Sequence, residues 1–217
     1  MTVVAKICGI NDVPAMAAAV AGGAAFVGLN FYPPSPRFVT PAAAAELVVP
    51  VPAGVSRVGL FVDPDDATLA ETLARLPLDL LQLHGDETPA RIAAVRARFG
   101  VAVMKAVRVA GPADVAAADA YAGIADWLLF DARAPAEMAG ALPGGNALVF
   151  DWRLIAGRSW PCPWMLSGGL TPENVAHAVR ISGARAVDVS SGVEDRRGHK
   201  SPALIAAFLA AVAALDR

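Results

Sequence analysis

The sequence predicts an α/β protein that folds as a single (β/α)8 barrel, the TIM-barrel architecture, over residues 1–217. Eight short runs of β-branched residues and leucine alternate with eight alanine-rich stretches. The runs are almost continuously apolar, as expected of parallel strands buried on both faces. No Gly-x-Gly-x-x-Gly follows the first run, which disfavours an open nucleotide-binding sheet. A flavodoxin-like or Rossmann-like sheet is the alternative fold.

The predicted elements follow one another without a break. The strands are expected at 3–8, 25–31, 56–62, 78–83, 101–107, 125–131, 164–167 and 186–190, and the helices near 12–21, 41–49, 65–76, 88–99, 112–120, 152–157, 171–182 and 201–215. Three helices have a clear start, because a hydroxyl side chain precedes a proline at Thr40-Pro41, Thr171-Pro172 and Ser201-Pro202.

Composition excludes several classes of partner. The chain has 18 basic and 20 acidic residues, a net charge of -2, and so predicts no basic surface for nucleic acid or an anionic membrane. Although 56% of the residues are hydrophobic, the uncharged stretches are broken by glycine and proline or are too short to span a bilayer. We expect a monomer or homodimer that binds a small molecule.

The cellular compartment is predicted from the chain start and the cysteines. Residues 1–6 run into the first strand without a secretory signal, which indicates the cytoplasm. Cys8 and Cys162 are the only cysteines, and in that compartment both are expected to stay as thiols, with a disulfide as the alternative.

In such a barrel the chemistry lies at the C-terminal ends of the strands. The first strand ends at Cys8, a potential base if a positive charge favours its thiolate, although a lone cysteine in a strand is more often a small buried apolar residue. The sixth strand ends at Asp131. Burial there would raise the pKa of its carboxyl and suit it to donating a proton; a helix cap or an ion pair is the alternative. Together across the mouth, the two favour an acid–base pair.

Two glycine clusters follow the last two strands. Gly168 and Gly169 come after the seventh strand, and Ser190, Ser191 and Gly192 after the eighth. Either cluster alone is compatible with a tight turn. Their joint position predicts a phosphate site, since these loops and a following helix N-terminus bind phosphate in many barrels.

Three further polar residues are candidates for binding substrate. Arg37 follows a proline-rich loop and could meet a carboxylate with its planar fork, although an exposed arginine is the alternative. Gln82 and His84 end the fourth strand two residues apart, so their side chains are expected on the same face. They either line the site or order the turn.

Metal and cofactor chemistry finds no support in the motifs. The three histidines, His84, His177 and His199, are scattered and show no metal-ligand spacing. Neither a P-loop lysine nor a nucleophile elbow is present. The expected chemistry is proton movement without a cofactor.

In chain order, these motifs resemble the phosphoribosylanthranilate isomerase family of tryptophan biosynthesis across essentially the whole chain. The matching segments are KICGI at 6–10, FYPPSPR at 31–37, VGLFV at 58–62, LQLHGD at 81–86, FDW at 150–152, LSGGL at 166–170 and VDVSSGVE at 187–194. The resemblance implies an Amadori rearrangement of N-(5-phosphoribosyl)anthranilate to 1-(carboxyphenylamino)-1-deoxyribulose 5-phosphate.

The resemblance also implies roles for individual residues. Asp131 matches the family's general acid, which protonates the ribose ring oxygen, and Cys8 its general base, which removes the C2 proton. Arg37 matches the arginine that holds the anthranilate carboxylate, Asp188 lies near the sugar, and the glycine clusters hold the phosphate.

One segment departs from the family pattern. The family usually has Gly-Gly-Thr-Gly before Phe-Asp-Trp, whereas this chain has Gly144-Gly145-Asn146-Ala147. If the last position needs a positive φ, Ala147 is strained there, and the shape and mobility of the 133–147 loop are affected.

Two other functions are compatible with these residues. The related sugar-phosphate isomerase of histidine biosynthesis, or a dual-substrate version, uses an aspartate where Cys8 stands. A barrel that binds a phosphorylated ligand without turnover is the third hypothesis.

Overall fold

A computed structural model describes residues 2–138 and 140–216 and shows a closed barrel of eight parallel strands. The barrel strands are β1 (Val4–Cys8), β2 (Phe26–Asn30), β3 (Ser56–Phe61), β4 (Leu80–Leu83), β5 (Ala102–Val109), β6 (Trp127–Ala132), β7 (Trp164–Leu166) and β8 (Ala186–Val189). Each strand pairs with the next in sequence, and β8 closes on β1. The (β/α)8 prediction is confirmed, and the open-sheet alternative is excluded.

Helices cover the outside of the barrel. They are α1 (Val13–Ala21), α2 (Pro41–Leu47), α3 (Asp66–Arg75), α4 (Pro89–Phe99), α5 (Pro112–Ala117), α6 (Val175–Ser182) and α7 (Pro202–Ala213). Thr40 and Ser201 accept hydrogen bonds from Ala43 N and Leu204 N, which confirms both predicted caps. No helix within the described residues is both long and apolar enough to cross a membrane.

Two predictions about helices are wrong. Residues 152–157 form only the 3-10 turn Trp152–Leu154, because Gly157 follows at φ 70°, where a helix cannot continue. The helix predicted from residue 171 begins at Val175. The Asn174 Oδ1 accepts the Thr171 N–H at 2.8 Å, so these residues form a turn ahead of the helix.

A short hairpin follows β8 and was not predicted. It consists of β9 (Glu194–Arg196) and β10 (His199–Lys200), which pair antiparallel across the turn Arg197-Gly198. Gly198 has φ 83°, and the space for a side chain there is filled by Pro36. The hairpin thus packs beside the loop after β2.

Strand alternation divides the side chains into two sets. Residues such as Ile7, Leu81 and Phe130 point outward and belong to the core shared with the helices. The inward residues form an apolar floor of Val58, Leu80, Met104, Ala106, Leu129, Met165 and Ala186. Burying each large apolar side chain stabilises the fold by about 1.5–3 kcal/mol. Above this floor the inward positions are polar, and they meet at the C-terminal ends of the strands.

Candidate active site

One pocket opens at the C-terminal mouth of the barrel and has an empty volume of about 700 Å³. Ten of the eleven predicted site residues border it: Cys8, Arg37, Gln82, His84, Asp131, Gly168, Gly169, Asp188, Ser190 and Ser191. The eleventh, Gly192, is not part of the pocket lining. Sequence reasoning thus selected residues that the fold brings together from six strands or their following loops.

The Cys8 thiol ends β1 and is buried in the barrel wall. Its strand neighbour is Gly28, where an added Cβ would lie 3.1 Å from Cys8 Sγ and 3.2 Å from Lys6 Cε. Gly28 therefore leaves the room that both side chains occupy. The next residue, Gly9, has φ 75° and turns the chain beneath Arg37. Cys8 and Cys162 are both free thiols, as expected.

A buried ion pair lies one layer below Cys8. Lys6 Nζ donates to Asp188 Oδ1 at 2.9 Å, and Ser167 Oγ donates to Asp188 Oδ2 at 3.0 Å. Burial by itself would lower the pKa of Lys6, but the Asp188 carboxylate raises it above 10.5, so Lys6 carries a charge. Lys6 is 0% exposed, and sequence reasoning did not select it. The signal that could have found it is a lysine inside an apolar strand, two residues before Cys8.

Burial, more than the neighbouring charges, keeps the Cys8 thiol protonated. Burial raises its pKa above 9.0, and Asp188 raises it further, whereas Lys6 and Lys200 oppose this effect. The sequence prediction named a positive charge as the condition for a reactive thiolate. Lys6 supplies that charge, but Asp188 largely neutralises it.

On the opposite side of the mouth, Asp131 is 5% exposed at the end of β6. Its Oδ1 accepts the Ala132 N–H at 2.8 Å, and its Oδ2 lies 3.3 Å from His84 Nε2 without the alignment of a hydrogen bond. A Cβ on Gly144 would come within 2.5 Å of Asp131 Oδ2 and 2.7 Å of His84 Nε2. The loop after β6 therefore crosses both side chains, and a side chain at Gly144 would force the loop or these two groups to move.

Gln82 and His84 share the inner face of β4, as predicted. Gln82 Nε2 and His84 Nδ1 are 3.0 Å apart and hydrogen-bonded. Behind them, Lys105 Nζ donates to Gly85 O at 2.7 Å and to Glu87 Oε2 at 2.6 Å. This buried pair fixes the chain that follows His84.

Arg37 is 3% exposed, which excludes the exposed alternative. Its Nε and Nη2 donate to Glu194 Oε1 and Oε2 at 2.6 and 3.0 Å, and Nη2 also donates to Gly145 O at 3.2 Å. The Nε–Nη2 edge of the guanidinium group is thus bound within the protein. Nη1 has no hydrogen-bond partner among the described residues, so its two N–H groups are available to a ligand.

Glu194 also binds Lys200, a second buried lysine that sequence reasoning missed. Lys200 Nζ donates to Glu194 Oε1 and to Ser190 O, both at 2.8 Å. Burial lowers the pKa of Lys200 and Arg37 lowers it further, against the opposing effect of Glu194. Burial by itself would raise the pKa of Glu194, but hydrogen bonds from Arg37 and Lys200 lower it. This network ties the hairpin to the loop after β8.

The two glycine clusters pack against each other. Gly168 and Gly169 have φ 87° and 62°, and side chains there would meet Ala132 N and Leu148 O, each at 2.8 Å. A side chain on Gly192 would collide with Leu170 O. The clusters therefore bring two loop backbones close together at the pocket rim. The helix expected directly after Gly169 begins later, at Val175, and Ser191–Val193 form a 3-10 helix that starts at this pocket.

The segment 142–148 forms the remaining wall of the pocket. Asn146 Oδ1 accepts the Leu142 N–H at 3.0 Å, and its Nδ2 donates to Leu142 O at 2.7 Å. Ala147 has φ 56°, so the departure from glycine places a Cβ in the left-handed region, as the sequence analysis anticipated. Ala139, within the 133–147 loop, lies outside the described residues. No group of three or more His, Cys, Asp or Glu side chains in 2–138 and 140–216 could hold a metal ion.

Comparisons with known proteins agree on one family. The family model for N-(5'phosphoribosyl)anthranilate (PRA) isomerase matches residues 5–211. The N-(5'-phosphoribosyl)anthranilate isomerase of Rhodospirillum centenum is 65% identical over 215 residues, which are 99% of this chain and 100% of that protein.

Solved structures give the same result. The crystal structure of phosphoribosyl anthranilate isomerase from Thermotoga maritima has a TM-score of 0.86 at 34% identity, covering 99% of this chain and 100% of that one. A crystal structure of such an isomerase in complex with reduced 1-(o-carboxyphenylamino)-1-deoxyribulose 5-phosphate has a TM-score of 0.83 at 33% identity, with the same coverage.

Proposed function

Because this chain belongs to the N-(5'-phosphoribosyl)anthranilate isomerase family of tryptophan biosynthesis, we propose that it performs the Amadori rearrangement with Asp131 as general acid and Cys8 as general base. The observation that carries this proposal is the pairing of a buried thiol on β1 with a buried carboxyl on β6 at one pocket. Two groups that face one substrate from opposite sides suit a reaction that protonates one atom and deprotonates another.

The order of the strands suggests how the substrate lies. Going around the barrel, the acid strand β6 is followed by the two glycine clusters after β7 and β8, then by the base strand β1 and by Arg37 after β2. A phosphate held at Gly168, Gly169, Ser190, Ser191 and Gly192 would lie between the acid and the base. The ribose would then span Asp131 and Cys8, and the anthranilate ring would extend towards Arg37.

In the first step, Asp131 transfers a proton to the substrate. Its carboxyl gives a proton to the ribose ring oxygen, the bond from C1 to that oxygen breaks, and the nitrogen forms a positively charged Schiff base. Burial keeps a carboxyl neutral until its proton is needed. Among the described residues no lysine or arginine pairs with Asp131; its Oδ1 accepts one backbone N–H, and its Oδ2 lies 3.3 Å from His84 Nε2.

In the second step, Cys8 removes a proton from the substrate. The Cys8 thiol first loses its proton to solvent; the resulting thiolate then removes the C2 proton, and the electrons of that C–H bond form the enolamine and neutralise the Schiff base. The enolamine then gains a proton at C1 and loses its hydroxyl proton at C2 to give the ketone. The positive nitrogen adds to Lys6 in favouring the thiolate, which suits a thiol that stays protonated while the site is empty.

The remaining polar residues are proposed to hold the substrate. Arg37 would bind the anthranilate carboxylate through its free Nη1 edge, since Glu194 occupies the other edge. Asp188 would lie beneath the sugar, where it already pairs with Lys6. Both cysteines are free, and a thiol base works best in a reducing compartment, so we place the enzyme in the cytoplasm.

Separate replacement of the two groups tests the proposal. Cys8→Ala and Asp131→Asn should each lower kcat at least a thousandfold, because each removes a proton-transfer group. Turnover is followed by loss of the anthranilate–ribose substrate, and circular dichroism checks the fold. Matched controls are Cys162→Ala and the exposed Asp119→Asn, which should retain native rates.

Isotopic substitution distinguishes the two roles. Deuterium at C2 of the ribose should slow the wild-type enzyme if C2–H cleavage limits turnover, and the residual activity of Cys8→Ala should show the effect at full size. Near-native rates in Cys8→Ala or Asp131→Asn would reject the assigned roles. Tight binding of the product analogue without turnover by the wild-type chain would favour the binding-only hypothesis.

A further inference from the structure

Gln82 borders the pocket, but its side chain is completely enclosed. It is 0% exposed, whereas its neighbours His84 and Asp131 are 4% and 5% exposed. It lies one layer below His84, between Leu60 of β3 and Met104 of β5. A substrate in the pocket would reach His84 and Asp131 first. The structure therefore favours a role for Gln82 that acts through His84 over direct contact with the substrate.

The hydrogen bond between Gln82 and His84 sets the tautomer of the imidazole. Gln82 Nε2 donates to His84 Nδ1 at 3.0 Å, so Nδ1 is the acceptor and a neutral ring carries its hydrogen on Nε2. In this orientation, the buried polar atom of Gln82 left without a partner among the described residues is Oε1. The reversed amide would instead leave an NH2 group with two unpaired donors, a larger cost.

The other ring nitrogen faces the proposed acid. His84 Nε2 lies 3.3 Å from Asp131 Oδ2 and has no hydrogen-bond partner among the described residues. Asp131 Oδ1 already accepts the Ala132 N–H, so Oδ2 is the oxygen without a donor aligned to it. A small rotation of either side chain would join Nε2–H to Oδ2.

This hydrogen bond would strengthen as the reaction proceeds. A neutral carboxyl attracts an N–H donor weakly, but negative charge develops on Asp131 as its proton moves to the ring oxygen. A donor already in place stabilises that charge more in the transition state than in the ground state, which accelerates the step. The Lys105–Glu87 pair behind Gly85 holds the backbone after His84, so the ring can pivot without leaving its place.

We propose that Gln82 is a positioning residue that keeps His84 as the Nε2–H tautomer, which donates to the carboxylate that Asp131 becomes when it gives up its proton. This inference rests on the proposed role of Asp131 as the general acid. It assigns Gln82 a function in the rate of the acid step and none in substrate affinity.

Nuclear magnetic resonance of the ¹⁵N-labelled enzyme tests the tautomer without any assay of activity. The two ring nitrogens of His84 should show Nε2 protonated and Nδ1 unprotonated in the wild type. At a pH at which the introduced carboxyl is ionised, Gln82→Glu replaces the donor with an acceptor, so Nδ1 should become protonated in that variant. A wild-type signal with the hydrogen on Nδ1, or an unchanged pattern in Gln82→Glu, would overturn the proposal.

Kinetics test the consequence for the reaction. Gln82→Met, similar in size but without the amide, should lower kcat at least about tenfold with KM changed less than twofold, since general acid catalysis contributes roughly 10²–10⁴-fold. The matched control Leu80→Met changes the layer below on the same strand face and should leave kcat near native. A rise in KM with kcat preserved in Gln82→Met would indicate substrate contact and reject the positioning role.

A double variant separates this inference from the acid assignment. In an Asp131→Asn background the further loss caused by Gln82→Met should largely disappear, because no carboxylate forms there. An undiminished loss would reject the route through Asp131. If Asp131→Asn alone stays active, the acid assignment fails, whereas the tautomer measurement still decides what Gln82 does to His84.

Discussion

The two sides of the barrel mouth differ in how they surround their proposed catalytic group. The base side, formed by Lys6, Cys8, Ser167 and Asp188, encloses a thiol beside a buried pair of opposite charges. The acid side, formed by Gln82, His84, Asp131 and Gly144, surrounds a carboxyl with polar groups and glycine backbone. Both sides are buried, so the contrast does not come from solvent access.

This contrast fits the roles proposed for the two groups. A thiol must lose its proton before it can act as a base, and a fixed cation lowers the energy of the thiolate. A carboxyl must keep its proton until it acts as an acid, and a neighbouring cation would remove it early. In the proposed mechanism, the cation Lys6 therefore lies where an anion must form, whereas no lysine or arginine among the described residues pairs with Asp131.

The largest effect is expected from Lys6→Met, which removes the only buried cation directly paired with Asp188 among the described residues. The variant leaves a buried carboxylate without its partner and should lower the free energy of unfolding by about 3–5 kcal/mol. Chemical denaturation measures this value. Asp188→Asn combined with Lys6→Met should recover part of it. A loss below about 1 kcal/mol for Lys6→Met would show that the charge pair is not central to the base side.

Gly144→Ala tests the acid side with a change of one methyl group. The added Cβ would come within 2.5 Å of Asp131 Oδ2, so the loop must move away. We expect kcat to fall about 100-fold, the scale of a misplacement of about 1 Å, with little change in unfolding. Gly54→Ala is the control, since nothing lies within 4 Å of its added Cβ. Native turnover by Gly144→Ala would mean that the loop does not cover the acid during catalysis.

The pH dependence of stability tests the protonated thiol, in a Cys162→Ser background so that Cys8 is the only cysteine. The folded pKa of Cys8 is raised above 9.0, so between the unfolded and folded values the folded chain holds a proton that the unfolded chain has lost. The free energy of unfolding should therefore decline as the pH rises above 9.0. The total loss should be about 1.4 kcal/mol for each unit by which the folded pKa of Cys8 exceeds its unfolded pKa.

Comparing unfolding of this protein with that of its Cys8→Ser variant across alkaline pH isolates the effect of the thiol. Asp188→Asn should make this loss of stability smaller. It removes a charge that raises the folded pKa of Cys8 and leaves Lys6 in place. Thiolate absorbance should then appear at lower pH than in the parent. An unchanged titration would show that Asp188 does not act on Cys8.

The smallest effect is expected in the loop that joins the two sides. Ala147 has φ 56°, and Ala147→Gly should relieve that strain and raise stability by up to about 1 kcal/mol. Ala136→Gly in the same loop, where φ is not positive, should be neutral or slightly destabilising. Thermal unfolding compares them. A loss of stability in Ala147→Gly equal to that of the control would mean that the positive φ is not strained.

What the sequence could predict depends on the range of the interactions involved. The alternation along β4 placed Gln82 and His84 on one face, and the apolar runs placed Cys8 and Asp131 at strand ends, because these patterns are local. The pairing of Lys6 with Asp188 joins residues 182 positions apart and leaves no local pattern. The same reason explains why the occupation of Arg37 by Glu194, 157 positions away, was not predicted.

The local predictions that were wrong have a different cause. The 152–157 segment has helical composition, but the glycine at 157 ends it after one turn. Thr171-Pro172 has the composition of a helix start, but residues 172–174 form a turn and α6 starts only at Val175. Both errors concern where a short helix begins or ends, which composition alone does not determine.

The protonated state of Cys8 has a consequence for the lifetime of the enzyme. Peroxides attack thiolates far faster than thiols, and they must reach the sulfur to do so. Cys8 is 4% exposed and its raised pKa keeps it as the thiol while the pocket is empty. Cys8 would therefore resist oxidation as a thiol, and its sulfur would become vulnerable only when a substrate that favours the thiolate also shields it.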